Sequence, residues 1–130
     1  MAHRIAWDNQ DQTVIVQQHV PPSSKDDLLQ LAEKSAEMLK SVTHTVHLIV
    51  DESMVRMMPN TADFRHLEKV VPPNQGTVVV VVAKKDVSYK MVTQNLGKMV
   101  APRSVNHTHF ASSIDEARAI LQREVSVQYP

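Results

Sequence analysis

The sequence predicts a single α/β domain over residues 1–130, with a mostly parallel sheet. Short apolar runs alternate along the chain with segments of helical periodicity, as in βαβ units. The run TVVVVVA at residues 77–83 has five successive valines, and β-branched side chains favour a strand over a helix. A length of 130 residues also fits one buried core. The predicted order is β-β-α-β-α-β-α-β-α, with right-handed crossovers, covering helices and an N-terminal hairpin at one side of the sheet.

The chain is predicted to begin with a β-hairpin. Apolar residues that alternate with polar ones predict strands at 3–8 and 13–20, and Ile5 shares one face of the first strand with Trp7. The residues between the strands, 8–11, read DNQD, which is turn chemistry. A loop slightly longer than the tightest type is therefore expected.

The first helix is predicted to begin at a capping box formed by Ser24 and Asp27, directly after two prolines that end the second strand. It runs to about Val42. Its apolar residues recur at helical spacing and give it one inner face, formed by Leu28, Leu31, Ala32, Ala36 and Leu39.

The centre of the chain predicts two buried strands with a helix between them. Residues 46–50 and 77–83 are nearly all apolar, which is expected where helices cover both faces of a sheet. Between them Asn60, with Asp63 at the third helical position, is predicted to cap a short second helix. The apolar positions of that helix are Phe64, Leu67 and Val71.

Two further helices and one strand complete the prediction. A third helix is expected to be capped by Asp86 and closed off by Pro102, with one face formed by Tyr89, Val92, Leu96 and Met99. Residues 105–110 predict the last strand, and a capping box at Ser113 begins the last helix, whose inner face is Ile114, Ala117 and Leu121. Residues 125–130 are expected to form an extended or disordered tail.

Composition excludes several classes of function. Fourteen basic residues balance fourteen acidic ones, so the chain has no general attraction for nucleic acid or anionic lipid. Two glycines are too few for a phosphate-cradling loop, and the absence of cysteine excludes thiolate catalysis and cysteine-based metal sites. The longest apolar run, 78–83, is far shorter than the roughly 20 residues of a membrane helix, and the N-terminus lacks a signal peptide's apolar core. We therefore predict a soluble, cytoplasmic protein with no cofactor, no nucleic-acid partner and no membrane insertion.

The element order and three segments resemble the STAS domain, the family of bacterial anti-sigma-factor antagonists and sulphate-transporter cytoplasmic tails. The segments are the apolar strand that ends at Val50 and Asp51, the strand TVVVVVA, and the closing stretch HFASSIDEARAIL at 109–121. The resemblance covers almost the whole chain. It implies a STAS-like fold and a regulatory role in a bacterial protein, through partner binding or homodimerisation.

The phosphoacceptor motif of that family is absent. A typical member has Asp-Ser-Ser-Gly at the start of the helix that follows this strand, and a partner kinase phosphorylates a serine there. Counting forward from Asp51, this chain has PNTA at residues 59–62, and Thr61 lies one position beyond the acceptor's place. The resemblance thus implies a divergent member, with Thr61 as the candidate phosphoacceptor.

The segment DESMVRMMPNTADF, residues 51–64, holds most of the candidate site residues. Asp51 is at the C-terminal end of a parallel strand, where ligands bind in open α/β sheets. Ser53 follows it, but without the Gly-x-Ser-x-Gly elbow of a nucleophile. Asn60 and Thr61 are at a helix N-terminus, a place that favours phosphate, although helix capping is the commoner use of such residues.

Three methionines in the same segment have two interpretations. A flexible, polarizable thioether suits an adaptable partner surface, and it can equally fill the core beneath the second helix. The complete predicted interaction or ligand surface is Asp51, Ser53, Met54, Met57, Met58, Asn60, Thr61 and Phe64.

Seven histidines raise the question of a metal site. His107 and His109 are predicted to share a face of the last strand, whereas His44 and His47 would point to opposite faces of theirs. One pair supplies two of the three or four protein ligands that zinc requires. No further ligand is specified by spacing, so no metal site is predicted.

Three classes of function are left open by the sequence. The leading hypothesis is a non-enzymatic, STAS-like regulatory or interaction module that binds a protein partner or a second copy around residues 51–67. The alternative is a protein that binds a small apolar ligand or lipid in a pocket between the helices and the sheet. The third is an enzyme or metalloprotein that uses Asp51 and the histidines, although no catalytic motif is present.

Overall fold

A computed structural model of the protein describes residues 3–22, 24–55, 59–102 and 107–129. In chain order the elements are β1 (His3–Trp7), β2 (Val14–His19), α1 (Lys25–Lys40), β3 (Val46–Asp51), α2 (Thr61–Val70), β4 (Gln75–Val81), α3 (Val87–Val100), β5 (Thr108–Ala111) and α4 (Ile114–Val125). A single 3-10 turn, Lys84–Asp86, precedes α3.

The five strands form one sheet in the order β1-β2-β3-β4-β5. The β1 strand is antiparallel to β2, and each later neighbour pair is parallel. The predicted α/β class, with a mostly parallel sheet and an N-terminal hairpin at its side, is confirmed. Most strand boundaries also agree with the predicted ones to within two residues.

Two apolar clusters lie on the two faces of the sheet. On one face, Val14 and Val16 of β2 pack with Ile49 and with Leu121 of α4. On the other face, which α1 covers, Ile15 packs with Leu39 of α1 and with Leu48 of β3. This alternation follows from the period of two along a strand, and it explains why β3 and β4 are apolar on both faces.

The predicted helix caps agree with the structure at three of four positions. Ser24 and Asn60 each form a reciprocal capping box with the aspartate three residues later. Ser113 accepts a hydrogen bond from the backbone N–H of Glu116, which confirms the N-cap. The reciprocal bond of the predicted capping box is not formed, because the Glu116 carboxylate accepts from the Ser112 hydroxyl instead, at 2.7 Å. The prediction for Asp86 was wrong in detail, because its backbone is already helical and its carboxylate makes no capping hydrogen bond.

The last strand begins later than expected. It starts at Thr108, and residues 105 and 106 of the predicted strand lie outside the described residues. His107 has a left-handed backbone, with φ of 56°, and lies in a turn. The prediction that His107 and His109 share a strand face was therefore wrong, since the left-handed residue interrupts the extended alternation.

A polar clamp attaches the C-terminal residues to the β1–β2 turn. Arg118 donates two hydrogen bonds to the buried carboxylate of Asp8, at 3.0 and 2.8 Å, and the hydroxyl of Tyr129 donates a third at 2.7 Å. The guanidinium also lies over the Tyr129 ring, 5.8 Å from its centroid. Val127, which precedes Tyr129 by two residues, is buried in the apolar cluster that contains Leu121. Residues 126–129 therefore pack on the domain.

The α2 helix does not lie directly on the sheet. It packs chiefly against α1 and α3. Its buried Phe64 forms a small separate cluster with Ala101, which follows α3, and with Leu67 and Val100. The helix therefore spans the gap between α1 and α3 and leaves space between itself and the strands.

The α3 helix presents its apolar face outward. Its buried residues are Lys90, Gln94 and Gly97. The face predicted from helical spacing, which we call the outward face, is exposed and consists of Tyr89, Val92, Leu96 and Met99. Among the described residues, no helix is long and apolar enough to cross a membrane.

Candidate functional site

Asp51 organises the turn that follows β3. Its Oδ1 accepts hydrogen bonds from the backbone N–H of Ser53, at 3.0 Å, and from the Ser53 hydroxyl, at 2.7 Å. Its Oδ2 accepts a longer one from the Gln18 side chain, at 3.3 Å. Asp51 is buried and Ser53 is exposed. Asp51 and Ser53, both predicted site residues, therefore lie together. Their hydrogen bonds are local ones that stabilise the turn.

Asn60 and Thr61 lie at the start of α2. The Asn60 side chain accepts from the backbone N–H of Asp63, and the Asp63 carboxylate accepts from the backbone N–H of Asn60, both at 2.9 Å. These two bonds satisfy N–H groups that have no partner within the helix. Phosphorylation of Thr61 stays a prediction.

The remaining predicted site residues separate into different environments. Met54 is 63% exposed and borders a shallow depression with Val55, Lys85 and Asp86. Phe64 is buried beneath α2. Met57 and Met58 lie outside the described residues, so the choice between core and surface is answered for Met54 alone, which is on the surface.

A cavity of about 130 Å³ lies beneath α2, between that helix and the sheet. Its floor is the helix-covered face of the two central strands, formed by Leu48, Val50, Val78 and Val80. Its walls and roof come from α1 and α2 and are mainly apolar, formed by Leu28, Ala32, Ala36, Phe64, Leu67 and Val70. The cavity is partly open to solvent, and most of its lining surface is apolar.

One end of the cavity is polar. Lys90 Nζ lies 2.7 Å from Glu52 Oε1, and both residues are less than a tenth exposed. The side chains of Gln17 and Ser35, which hydrogen-bond to each other, line the same cavity, and so does Gln94. This cluster lies towards the C-terminal ends of β2 and β3, the edge at which α/β sheets bind ligands.

Burial affects the pKa of the acidic member of this ion pair. Desolvation raises the pKa of Glu52 above its usual range, and the ammonium of Lys90 partly opposes that effect. A buried pair of this kind recovers its desolvation cost only with good geometry and further hydrogen bonds. The pair therefore places a buried carboxylate and a buried ammonium on the inner face of α3, at the polar end of the cavity.

Two histidines lie beside this polar end. His3 and His19 face each other across β1 and β2, with ring centroids 5.8 Å apart. His19 is almost fully buried, and neither of its ring nitrogens has a hydrogen-bond partner among the described residues. Burial, followed by electrostatic interaction with His3 and with Lys90, lowers the pKa of His19 to about 4.

The histidines considered for metal binding do not converge. His47 is structural, because its Nδ1 accepts the backbone N–H of Thr77 at 2.9 Å, and burial lowers its pKa. A side-chain carbon on Gly76 would lie 2.5 Å from that nitrogen, so the glycine leaves room for the ring. Within the described parts of the chain, no group of three or more histidine, aspartate or glutamate side chains could hold a metal ion.

Sequence reasoning missed Glu52 and Lys90. Lys90 is on the helix face opposite the apolar one, where a lysine is normally solvated. Glu52 directly follows Asp51 and belongs to no recognisable motif. Nothing in their spacing indicates that the two residues meet.

Comparisons of the chain with protein-family models, with curated proteins and with solved structures found no match.

Proposed function

We propose that this chain is a non-enzymatic, cytoplasmic protein-interaction module that docks a partner on the outward face of α3. The observation that carries the proposal is the orientation of that helix. Val92 is 71% exposed and Met99 is 82% exposed, while Lys90 and Gln94 of the same helix are buried. An amphipathic helix normally buries its apolar face in its own domain.

Partner binding accounts for this orientation. Burying a single valine, leucine or methionine side chain contributes about 1.5–3 kcal/mol. An apolar stripe two to three turns long that remains in water forgoes that stabilisation unless another molecule covers it. Met54 is exposed and lies near Lys85 and Asp86, at the N-terminal end of α3, so we include it in the proposed docking surface.

Charge around the stripe indicates the chemistry of the partner. Lys84 and Lys85 lie at one end of the outward face and Lys98 at the other, and all three are exposed. Residues 87–100 contain no acidic side chain. Self-pairing of two α3 helices would therefore bring lysines together, so the partner is an amphipathic helix that carries acidic residues beside its apolar side.

The resemblance to STAS domains supports a regulatory use of such binding. In this proposal the docking surface is α3 with Met54, rather than the whole of residues 51–67. Phosphorylation of Thr61 is a separate proposal, and mapping of phosphosites after incubation with candidate kinases tests it.

Two short helical peptides test the docking proposal. They share one apolar face, and one carries glutamates beside it whereas the other carries lysines. Fluorescence anisotropy is expected to show that the protein binds the acidic peptide at least about tenfold more tightly, equivalent to about 1.4 kcal/mol. The double variant Val92→Glu/Met99→Glu is expected to lose that binding.

The matched control is Ala119→Glu/Gln122→Glu, which adds the same two charges to exposed positions of α4. It should bind as the wild type does. Equal affinity for the two peptides would contradict the proposal. So would stronger binding to anionic vesicles, or a dimer in solution that Val92→Glu/Met99→Glu dissociates, since these outcomes identify a membrane or a second copy as the occupant.

A further inference from the structure

We propose that the cavity beneath α2 is a binding site for a small, uncharged, mainly apolar molecule that carries one hydrogen-bonding group. This site goes beyond the docking proposal, because it uses the inner face of α3 rather than the outward one. The apolar part of the ligand lies between the sheet and α2, and its polar group lies at the Glu52–Lys90 end.

The space and its lining define the size of the ligand. The cavity of about 130 Å³ is comparable to the engineered apolar cavity of about 150 Å³ that binds benzene. Its floor and roof are valine, leucine and phenylalanine side chains. The α2 helix packs against α1 and α3 rather than on the strands, and this arrangement keeps the space between α2 and the sheet open. A molecule with a single ring or a short chain fits this volume.

The polar end defines the charge of the ligand. Glu52 and Lys90 compensate each other at 2.7 Å in a buried setting. A ligand with a full positive or negative charge would place a third, uncompensated charge there, and buried charges without a partner are strongly unfavourable. A hydroxyl both donates and accepts hydrogen bonds, so it can join the pair and the neighbouring amide of Gln94 without adding charge.

Three probes with the same ring separate these cases. They are 2-phenylethanol, which is neutral, phenylacetate, which is an anion, and 2-phenylethylamine, which is a cation. Methyl NMR titration of the wild-type protein is expected to show 2-phenylethanol binding at least about tenfold more tightly than either charged probe. The shifted methyl groups should belong to Leu48, Val78 and Val80, which form the cavity floor.

Charge variants give a sharper test of the polar end. In Glu52→Gln the polar end loses its carboxylate and keeps the ammonium of Lys90, so the preferred probe should change to phenylacetate. In Lys90→Met the carboxylate of Glu52 remains, and the preferred probe should change to 2-phenylethylamine at a pH that keeps that carboxylate ionised. No change of preference in a variant that folds would overturn the assignment of the polar end.

A filling variant keeps the proposal testable if the charge variants do not fold. Ala32→Leu adds side-chain volume at a half-buried position that lines the cavity, and it should weaken 2-phenylethanol binding about tenfold or more. The docking variant Val92→Glu/Met99→Glu should bind the probe as the wild type does. Absence of binding by all three probes up to their solubility, equal binding of all three, or unchanged binding by Ala32→Leu would overturn the proposal.

Discussion

His19 shows how a single residue couples this fold to pH. The ring is buried on the sheet face that α1 covers, next to His3, and its nitrogens have no partner among the described residues. A polar ring held in this way is neutral in the folded protein, because burial and nearby positive charge disfavour the imidazolium. Protonation therefore favours the unfolded chain.

The variant His19→Phe tests this account. In the wild type the pKa of His19 is about 4 when folded and near its ordinary 6.5 when unfolded. Between these values the unfolded state binds more protons, so stability is present above pH 6.5 and falls as the pH drops towards 4. Over this range His19 is expected to lower the free energy of unfolding of the wild type by about 3 kcal/mol. The variant His19→Phe should not show this contribution.

Urea unfolding at several pH values between 7 and 4 measures the difference. His44→Gln is the matched control, because His44 is exposed and a glutamine can keep its contact with the Gln12 carbonyl. Parallel stability curves for the wild type and His19→Phe would show that His19 does not couple folding to pH.

At the scale of elements, the clamp between α4 and the β1–β2 turn attaches the C-terminal residues to the sheet. The Asp8 side chain is buried and accepts from both Arg118 and Tyr129, so the loss of its charge would weaken both contacts. Burial and the hydrogen bond to Asp8 both raise the pKa of Tyr129 above its ordinary value, which keeps the phenol protonated as a donor.

Asp8→Asn is expected to lower the free energy of unfolding by about 1–3 kcal/mol, because a charge-assisted pair is replaced by a weaker contact. Asp115→Asn is the control, since Asp115 also approaches Arg118, at 3.7 Å, but is almost fully exposed. Its effect should be within about 0.5 kcal/mol. Similar losses in both variants, measured by chemical denaturation, would contradict the assignment of the clamp.

The α3 helix is the element that departs most from expectation for a helix in an α/β domain. Its polar face is buried against the rest of the domain, and its apolar face is exposed to solvent, which is the reverse of the usual orientation. The exchange gives one helix two roles in our proposals. The outward face docks a partner, and Lys90 on the inner face forms the polar end of the cavity.

For the molecule as a whole, the elements were more predictable than the sites. The β3 and β4 strands followed from β-branched apolar runs, and two capping boxes were visible as serine or asparagine with an aspartate three residues later. Periodicity identified which α3 residues share a face, but it contains no information on the direction of that face. The meeting of Glu52 with Lys90 depends on tertiary packing between distant segments.

The docking surface on α3 is the central claim, and methyl NMR of the full chain titrated with the acidic amphipathic peptide tests it most directly. We expect shifts at the methyl groups of Val92, Leu96 and Met99, with Met54 at the edge of the affected region. The cavity-floor methyl groups should stay unchanged. Shifts confined to any other surface, or none at all at saturating peptide, would contradict the claim.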